Sequence, residues 1–173
     1  MNLQSTLHGE TITLSPLQGT AFERLYQAAS DPLIWKLHPN SDRYLRPAFQ
    51  TYFQGAIDSG TAFIALNKKT DEVIGCSRYY DISPETKSIK IGYTFLIRKY
   101  WGGKTNFKMK KLMIQHAFKE FETVVFEVGE TNLRSRKALE KIGAVYSHNF
   151  YRDGGPHCLY TIEKSKRNQF TEN

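Results

Sequence analysis

Cysteine is nearly missing from this chain. Its two copies, Cys76 and Cys158, stand far apart with no CxxC or histidine-rich spacing near them. That argues against a disulfide or a metal site and for buried, reduced thiols. No run approaches the roughly 18 apolar residues of a membrane span. The opening MNLQSTLHGE also lacks the apolar stretch of a signal peptide. The expectation is a cytoplasmic protein without a membrane partner or a metal. Linker-like tracts, repeats and low-complexity segments are absent too. Residues 1–173 therefore read as one domain, with a polar tail over about 166–173.

Negative charge is the most telling local absence. From Thr86 to Lys119 there is no Asp or Glu, while nine Lys and Arg residues crowd the same stretch. The whole chain carries a formal charge of +7, which favours an anionic partner without naming it. A nucleic-acid binder usually spreads its cations over a face interleaved with aromatics. Here the excess gathers around Ile91–Ile114, which reads as a strand, a turn at Gly102-Gly103 and a helix. A strand entering a helix through a glycine turn offers free backbone N–H groups and the positive end of a helix dipole, a setting for phosphate.

The rest of the chain supplies a frame. Gly9–Leu17 alternates as a first strand, and Phe22, Leu25, Tyr26 and Ala29 give a helix that Asp31-Pro32 ends. The aromatic-rich segment 32–45 reads as irregular, with Trp35, His38 and Tyr44 either packed on the core or facing a substrate. A second helix spans Arg46–Ser59, with Phe49, Tyr52, Phe53, Ala56 and Ile57 on one stripe. Strands follow at Thr61–Asn67, Val73–Ile82 and Ser88–Ile97. The helix after the glycine turn carries Met109, Leu112, Met113, His116 and Ala117 on its apolar stripe, with Lys108, Lys110 and Lys111 facing elsewhere. His116 on that stripe reads as a core histidine. A strand Thr123–Val128, a helix Leu133–Ile142 and a hairpin across Asp153-Gly154-Gly155 complete the order β-α-α-β-β-β-α-β-α-β-β. The fold class is α/β: a mixed, mostly antiparallel sheet flanked by helices.

With these elements in order, the chain resembles the GCN5-related N-acetyltransferase (GNAT) superfamily, and within it the branch of ribosomal-protein N-terminal acetyltransferases. The resemblance rests on Ile91-Gly92-Tyr93, on Tyr100-Trp101-Gly102-Gly103, and on Asn132-x-x-Ser135 followed by Ala138 and Lys141-Ile142-Gly143-Ala144. It implies acetyl-CoA as co-substrate and direct transfer of the acetyl group to an amine. The family's pyrophosphate loop aligns with Trp101, Gly102, Gly103, Lys104, Thr105 and Asn106, although Lys104 and Asn106 stand where relatives have small residues. Asn106 would suit the helix N-cap. Backbone groups near Phe95 and Ile97 would pair with the pantetheine arm where the strand ending at Ile97 leaves Thr123–Val128. Asn132 would bind the cofactor, cap the next helix, or both.

The resemblance is less complete for the proton carriers. Relatives often place a tyrosine seven residues after the asparagine, and here Leu139 stands there. Ser135 is then the candidate acid, with Tyr146, Tyr151 and Tyr160 as alternatives. Lys90 replaces a glutamate that some relatives carry as base, which leaves Glu127 or Asp81 for that role, unless both are solvated strand-edge charges. The resemblance implies a primary amine of a small molecule or of a protein N-terminus as acceptor, and a monomer or homodimer is expected. Two other readings fit the residues: an acyl-CoA-binding protein of the same fold without turnover, and a basic nucleic-acid-binding domain.

Overall fold

A computed structural model describes residues 2–169. Alternating Ile12 and Leu14 make β2 (Ile12–Pro16), preceded by a two-residue strand, β1 (Leu7–His8), that the pattern does not announce. Buried Leu25 and Ala29 lie on α1 (Phe22–Ala29). Asp31-Pro32 ends that helix and also starts another. Proline suits a first helical position, and Asp31 accepts from the Leu33 N–H at 3.0 Å, so α2 (Pro32–Trp35) forms inside the segment expected to be irregular. α3 (Arg46–Asp58) buries Phe49, Tyr52, Phe53 and Ala56.

The expected three strands follow as β3 (Ala62–Asn67), β4 (Val73–Ser83) and β5 (Ser88–Leu96). Then come α4 (Thr105–Ala117), β6 (Thr123–Gly129), α5 (Leu133–Lys141), β7 (Val145–Arg152) and β8 (Gly155–Glu163). The first part of the predicted tail belongs to a 3-10 turn, Lys164–Gln169, and the remainder lies outside the described residues.

One sheet holds all eight strands in the order β1-β2-β3-β4-β5-β6-β8-β7. Among the described residues only β5 and β6 run parallel, and α4 makes the crossover that a parallel pair requires. β8 inserts between β6 and β7, so β7 is the edge. α4 and α5 cover one face over Tyr79, Ile91, Met109, Met113 and Phe126. On the other face, α1, α2 and α3 pack Trp35, Phe49 and Phe53 against Ile64, Cys76 and Phe95. Each fully buried side chain of this size contributes about 1.5–3 kcal/mol. The second cluster takes nothing from β6, β7 or β8. That half of the face is left to half-buried and charged side chains such as Glu127 and Leu159.

Candidate active site

Three residue pairs hold β5 to β6, Ser88↔Thr123, Ile89↔Val124 and Lys90↔Val125, and the strands part beyond them. The cause lies in β5. Between the pairs Arg78↔Gly92 and Cys76↔Phe95, Tyr93 and Thr94 face Ser77 alone, and Tyr93 takes a φ of 51°. Such a bulge bends and twists its strand. Across from it, Gly75 sits so close to the Phe95 carbonyl that a Cβ there would collide.

The main chain at the end of β5 runs one residue out of phase with the expected pairing at Phe95 and Ile97. The Ile97 N–H donates to the Ile74 carbonyl at 2.9 Å, and the Ile97 carbonyl accepts from the Tyr100 N–H at 3.0 Å. Backbone groups alternate along a strand, so those of Thr94 and Leu96, not those of Phe95 and Ile97, face the opening. The Leu96 carbonyl accepts from Trp101 Nε1 at 2.9 Å. The Phe95 ring is core, 5.2 Å from that of Trp35.

Trp101, Gly102, Gly103 and Lys104 carry the chain from this opening into α4. Gly102 adopts a φ of 75°, a left-handed conformation that costs other residues roughly 1–2 kcal/mol. Open space surrounds both glycines. The N-cap residue of α4 is Lys104, with no side-chain cap, and Asn106 lies inside the first turn instead of capping it. The first helical bond runs from the Lys108 N–H to the Lys104 carbonyl at 2.9 Å. The N–H groups of Thr105, Asn106 and Phe107 therefore remain for an anion, in a first turn without acidic residues. The nine cations do not all crowd this point. Lys90, Arg98, Lys99 and Lys108 are paired with carboxylates, whereas Lys104 makes no ion pair among the described residues.

Across the opening, Asn132 is buried and caps α5, its Oδ1 accepting from the Ser135 N–H at 3.2 Å. Its Nδ2 has no acceptor among the described residues, so capping leaves the other half of the amide available. Ser135 is half-buried on the first turn of α5. Arg134 ties the site together: its guanidinium lies 3.8 Å over the Trp101 ring, and Nη2 donates to the Ile34 carbonyl at 3.2 Å.

The other candidate proton carriers separate clearly. Tyr160 is enclosed between Arg136 and Glu140, Tyr146 bonds Asn149, and Tyr151 is 77% exposed on the edge strand. None of them faces the opening. Glu127 is no solvated edge charge: its carboxylate is only 9% exposed and pairs with Lys90 and Arg152. Asp81 joins the same cluster through Lys90 at 2.9 Å. Tyr80 donates to Glu127 at 3.4 Å, and burial, followed by the Glu127 charge, pushes that phenol up. Of the aromatic segment, Trp35 is core and donates to the Ala29 carbonyl, while His38 remains half-buried beside Arg43. His116 is buried, with Nε2 3.2 Å from the Asn2 carbonyl.

One lysine expected to face away from the α4 stripe lies inward instead. Lys110 is 6% exposed, its Nζ donating to Thr94 Oγ1 at 2.6 Å and lying 5.5 Å from the Phe126 ring centre. It therefore bridges the two parting strands. Burial pushes its ammonium down to about 7. Thr94 Oγ1 is also 2.8 Å from Ser77 Oγ. The clue in the sequence is that Lys110, Ile114 and Ala117 share a helical face, which makes this lysine a member of an apolar stripe.

Comparison with known proteins fits this geometry. The profile of the acetyltransferase (GNAT) domain matches residues 11–145. A GCN5-related N-acetyltransferase from Brucella melitensis superposes with a TM-score of 0.83 at 18% identity, over 94% of this chain and 80% of that one. Mycobacterium smegmatis RimJ in complex with CoA-disulfide gives 0.76 at 14% identity, covering 94% and 89%. A putative ribosomal-protein-serine acetyltransferase from Vibrio cholerae gives 0.78 at 13%, covering 94% and 99%. At such identities the likeness is one of fold. A comparison with curated proteins returned no match. The domain profile spans the elements from β2 to the start of β7, with the parted strands and the glycine turn between them, and so the chain belongs to the GNAT acetyltransferase family.

Proposed function

We propose that the protein moves an acetyl group from acetyl-CoA directly onto a primary amine of a small molecule or a protein N-terminus. The observation that carries this reading is the parting of β5 from β6 beside an uncapped helix N-terminus. Acetyl-CoA supplies the thioester carbonyl that the amine attacks. The N–H groups of the Gly102-Gly103 turn and of Thr105 and Asn106, with Lys104, hold the phosphates, and Trp101 shapes the turn. Thr94 and Leu96 present the strand edge to the pantetheine amides, and Asn132 adds a donor from the opposite wall. A preorganised N–H at the bulge, aimed at the carbonyl oxygen, would contribute about 3 kcal/mol.

The proton groups divide by side. Glu127 lies two residues beyond the last β5–β6 pair and accepts the amine's proton through water. Ser135 and the Lys110–Thr94 pair hold protons on the side of the leaving thiolate. We place the enzyme in the cytoplasm, as a monomer or homodimer.

The test joins binding to turnover. Saturating acetyl-CoA raises the melting temperature, by an amount equivalent to about 2.7 kcal/mol at 100 times its Kd, and free thiol appears when a productive amine from a broad panel is added. Binding without thiol release from any amine would favour the non-catalytic acyl-CoA-binding reading. No melting shift and no thiol would remove both.

A further inference from the structure

Beside the bulge, on the face covered by α1–α3, two arginines lie close enough for the charge of one to act on the other, and neither pairs with a carboxylate among the described residues. Arg43, between α2 and α3, is 9% exposed and stacks 4.9 Å over the Tyr52 ring and 5.6 Å over the Trp35 ring. Arg78, opposite Gly92, stacks 3.5 Å over the Tyr93 ring. The two rings are linked through their residues, since Tyr52 donates its hydroxyl to the Tyr93 carbonyl at 2.6 Å. Stacking occupies the face of a guanidinium but leaves the N–H groups along its edge unsatisfied.

Those edges have almost nothing to bond. Neither arginine forms an ion pair among the described residues; the nearby Asp42 charge acts on Arg43 without pairing. Nε and Nη1 of Arg78 are enclosed without an acceptor, which leaves Nη2 as its accessible nitrogen. Arg43 Nη1 faces His38 Nε2 at 3.2 Å, while the Asn40 N–H donates to His38 Nδ1 at 3.0 Å. Both are obligate donors, and a neutral imidazole has one acceptor nitrogen. His38 therefore cannot satisfy both. Protonation would leave it with none, and burial, helped by the charges of Arg43 and His157, holds it neutral by pushing its pKa down to about 4.

We infer that Arg43 and Arg78 form an anion clamp, so that the acceptor is a small primary amine bearing a carboxylate. This rests on the acetyltransferase reading above. The clamp lies next to Tyr93 and Thr94 on the face opposite α4, so a carboxylate held there leaves the amine of an amino-acid-sized molecule beside the end of β5 that faces the opening. Enclosure of Arg43 by Trp35 and Tyr52 favours a compact terminal carboxylate. A cationic polyamine would meet two unpaired guanidinium groups.

The experiment compares free amino acids with their carboxamides, acidic peptides and spermidine as acceptors, using the full chain. The carboxylates should surpass the matched amides at least tenfold in kcat/KM. Arg78→Gln should raise KM for the acid at least tenfold, leave KM for acetyl-CoA unchanged and erase the preference over the amide. Arg43→Lys, which keeps the charge but not the planar fork, should give a smaller loss of the same kind. Equal turnover of acid and amide, preference for spermidine, or an unaltered Arg78→Gln profile would overturn the clamp. Preference for acidic peptides over free amino acids would overturn the small-molecule assignment. If acetyl-CoA neither shifts the melting temperature nor yields thiol, calorimetric titration of the acids and amides still decides. Carboxylate-selective binding lost in Arg78→Gln supports the clamp, and its absence ends it.

Discussion

Lys110 of α4 donates to Thr94 of β5 at 2.6 Å, directly inside the space where β5 and β6 separate. The lysine is buried, with its Nζ 5.5 Å from the centre of the Phe126 ring. In the unfolded chain the amine titrates near 10.5, and in the folded protein near 7. Below about 7 folding must bury a charge at full cost, and that cost fades as pH rises toward 10.5. Wild-type stability should rise with pH across this window. Lys110→Met should exceed wild type most below pH 7, with the difference shrinking above it, as followed by melting temperature from about pH 6 to about pH 9.5.

An acid placed at the start of α4 separates helix stability from ligand binding. Thr105→Asp puts a negative charge in a first turn that has none, which should stabilise the helix by about 0.3–1 kcal/mol. The same charge occupies the phosphate position. Thermal denaturation should show an unchanged or raised melting temperature, and the shift caused by acetyl-CoA should largely vanish.

Asn132 can be divided atom by atom. Asn132→Ala removes the cap on α5 and should cost about 1 kcal/mol. Asn132→Asp keeps an oxygen for the Ser135 N–H but removes Nδ2. Its stability should stay near wild type while affinity for CoA, measured by calorimetry, falls about tenfold, or about 1.4 kcal/mol.

Glu127→Gln leaves Lys90 and Arg152 without their shared carboxylate. Complete burial would make such a loss worth about 3–5 kcal/mol. The full value does not apply here, because the Arg152 side chain is 44% exposed and Lys90 keeps Asp81, so about 1–2 kcal/mol is expected in chemical denaturation. With Glu127 as acceptor of the amine's proton, kcat/KM should also drop, while the melting shift caused by acetyl-CoA stays unchanged.

The elements were legible because helical stripes and strand alternation are local. Phe49, Tyr52 and Phe53 predict α3, and Ile12 and Leu14 predict β2. The parts that sequence left undetermined depend on long-range geometry. A bulge at Tyr93 shifts which backbone groups face the opening, and no side-chain pattern records that shift. At Asp31-Pro32 proline both stops α1 and begins α2, and the local pattern announces only the stop. The apolar stripe of α4 leaves Lys110 facing elsewhere, while its helical phase with Ile114 and Ala117 points inward. Arg43 and Arg78 lie 35 positions apart in sequence and are brought together where the Tyr52 hydroxyl bonds the Tyr93 carbonyl.

The three rungs between β5 and β6 also make a seam. To one side lie β1–β5 with α1–α3, and to the other β6–β8; α4 and the Arg134 contact with Trp101 and Ile34 span the join. Where the rungs stop, the amides of Thr94 and Leu96 have no partner strand to slow their exchange with deuterium. Filling the seam would supply one. These two amides are thus built-in reporters of occupancy, whose protection should rise with ligand while the already paired Ile89 and Lys90 scarcely change.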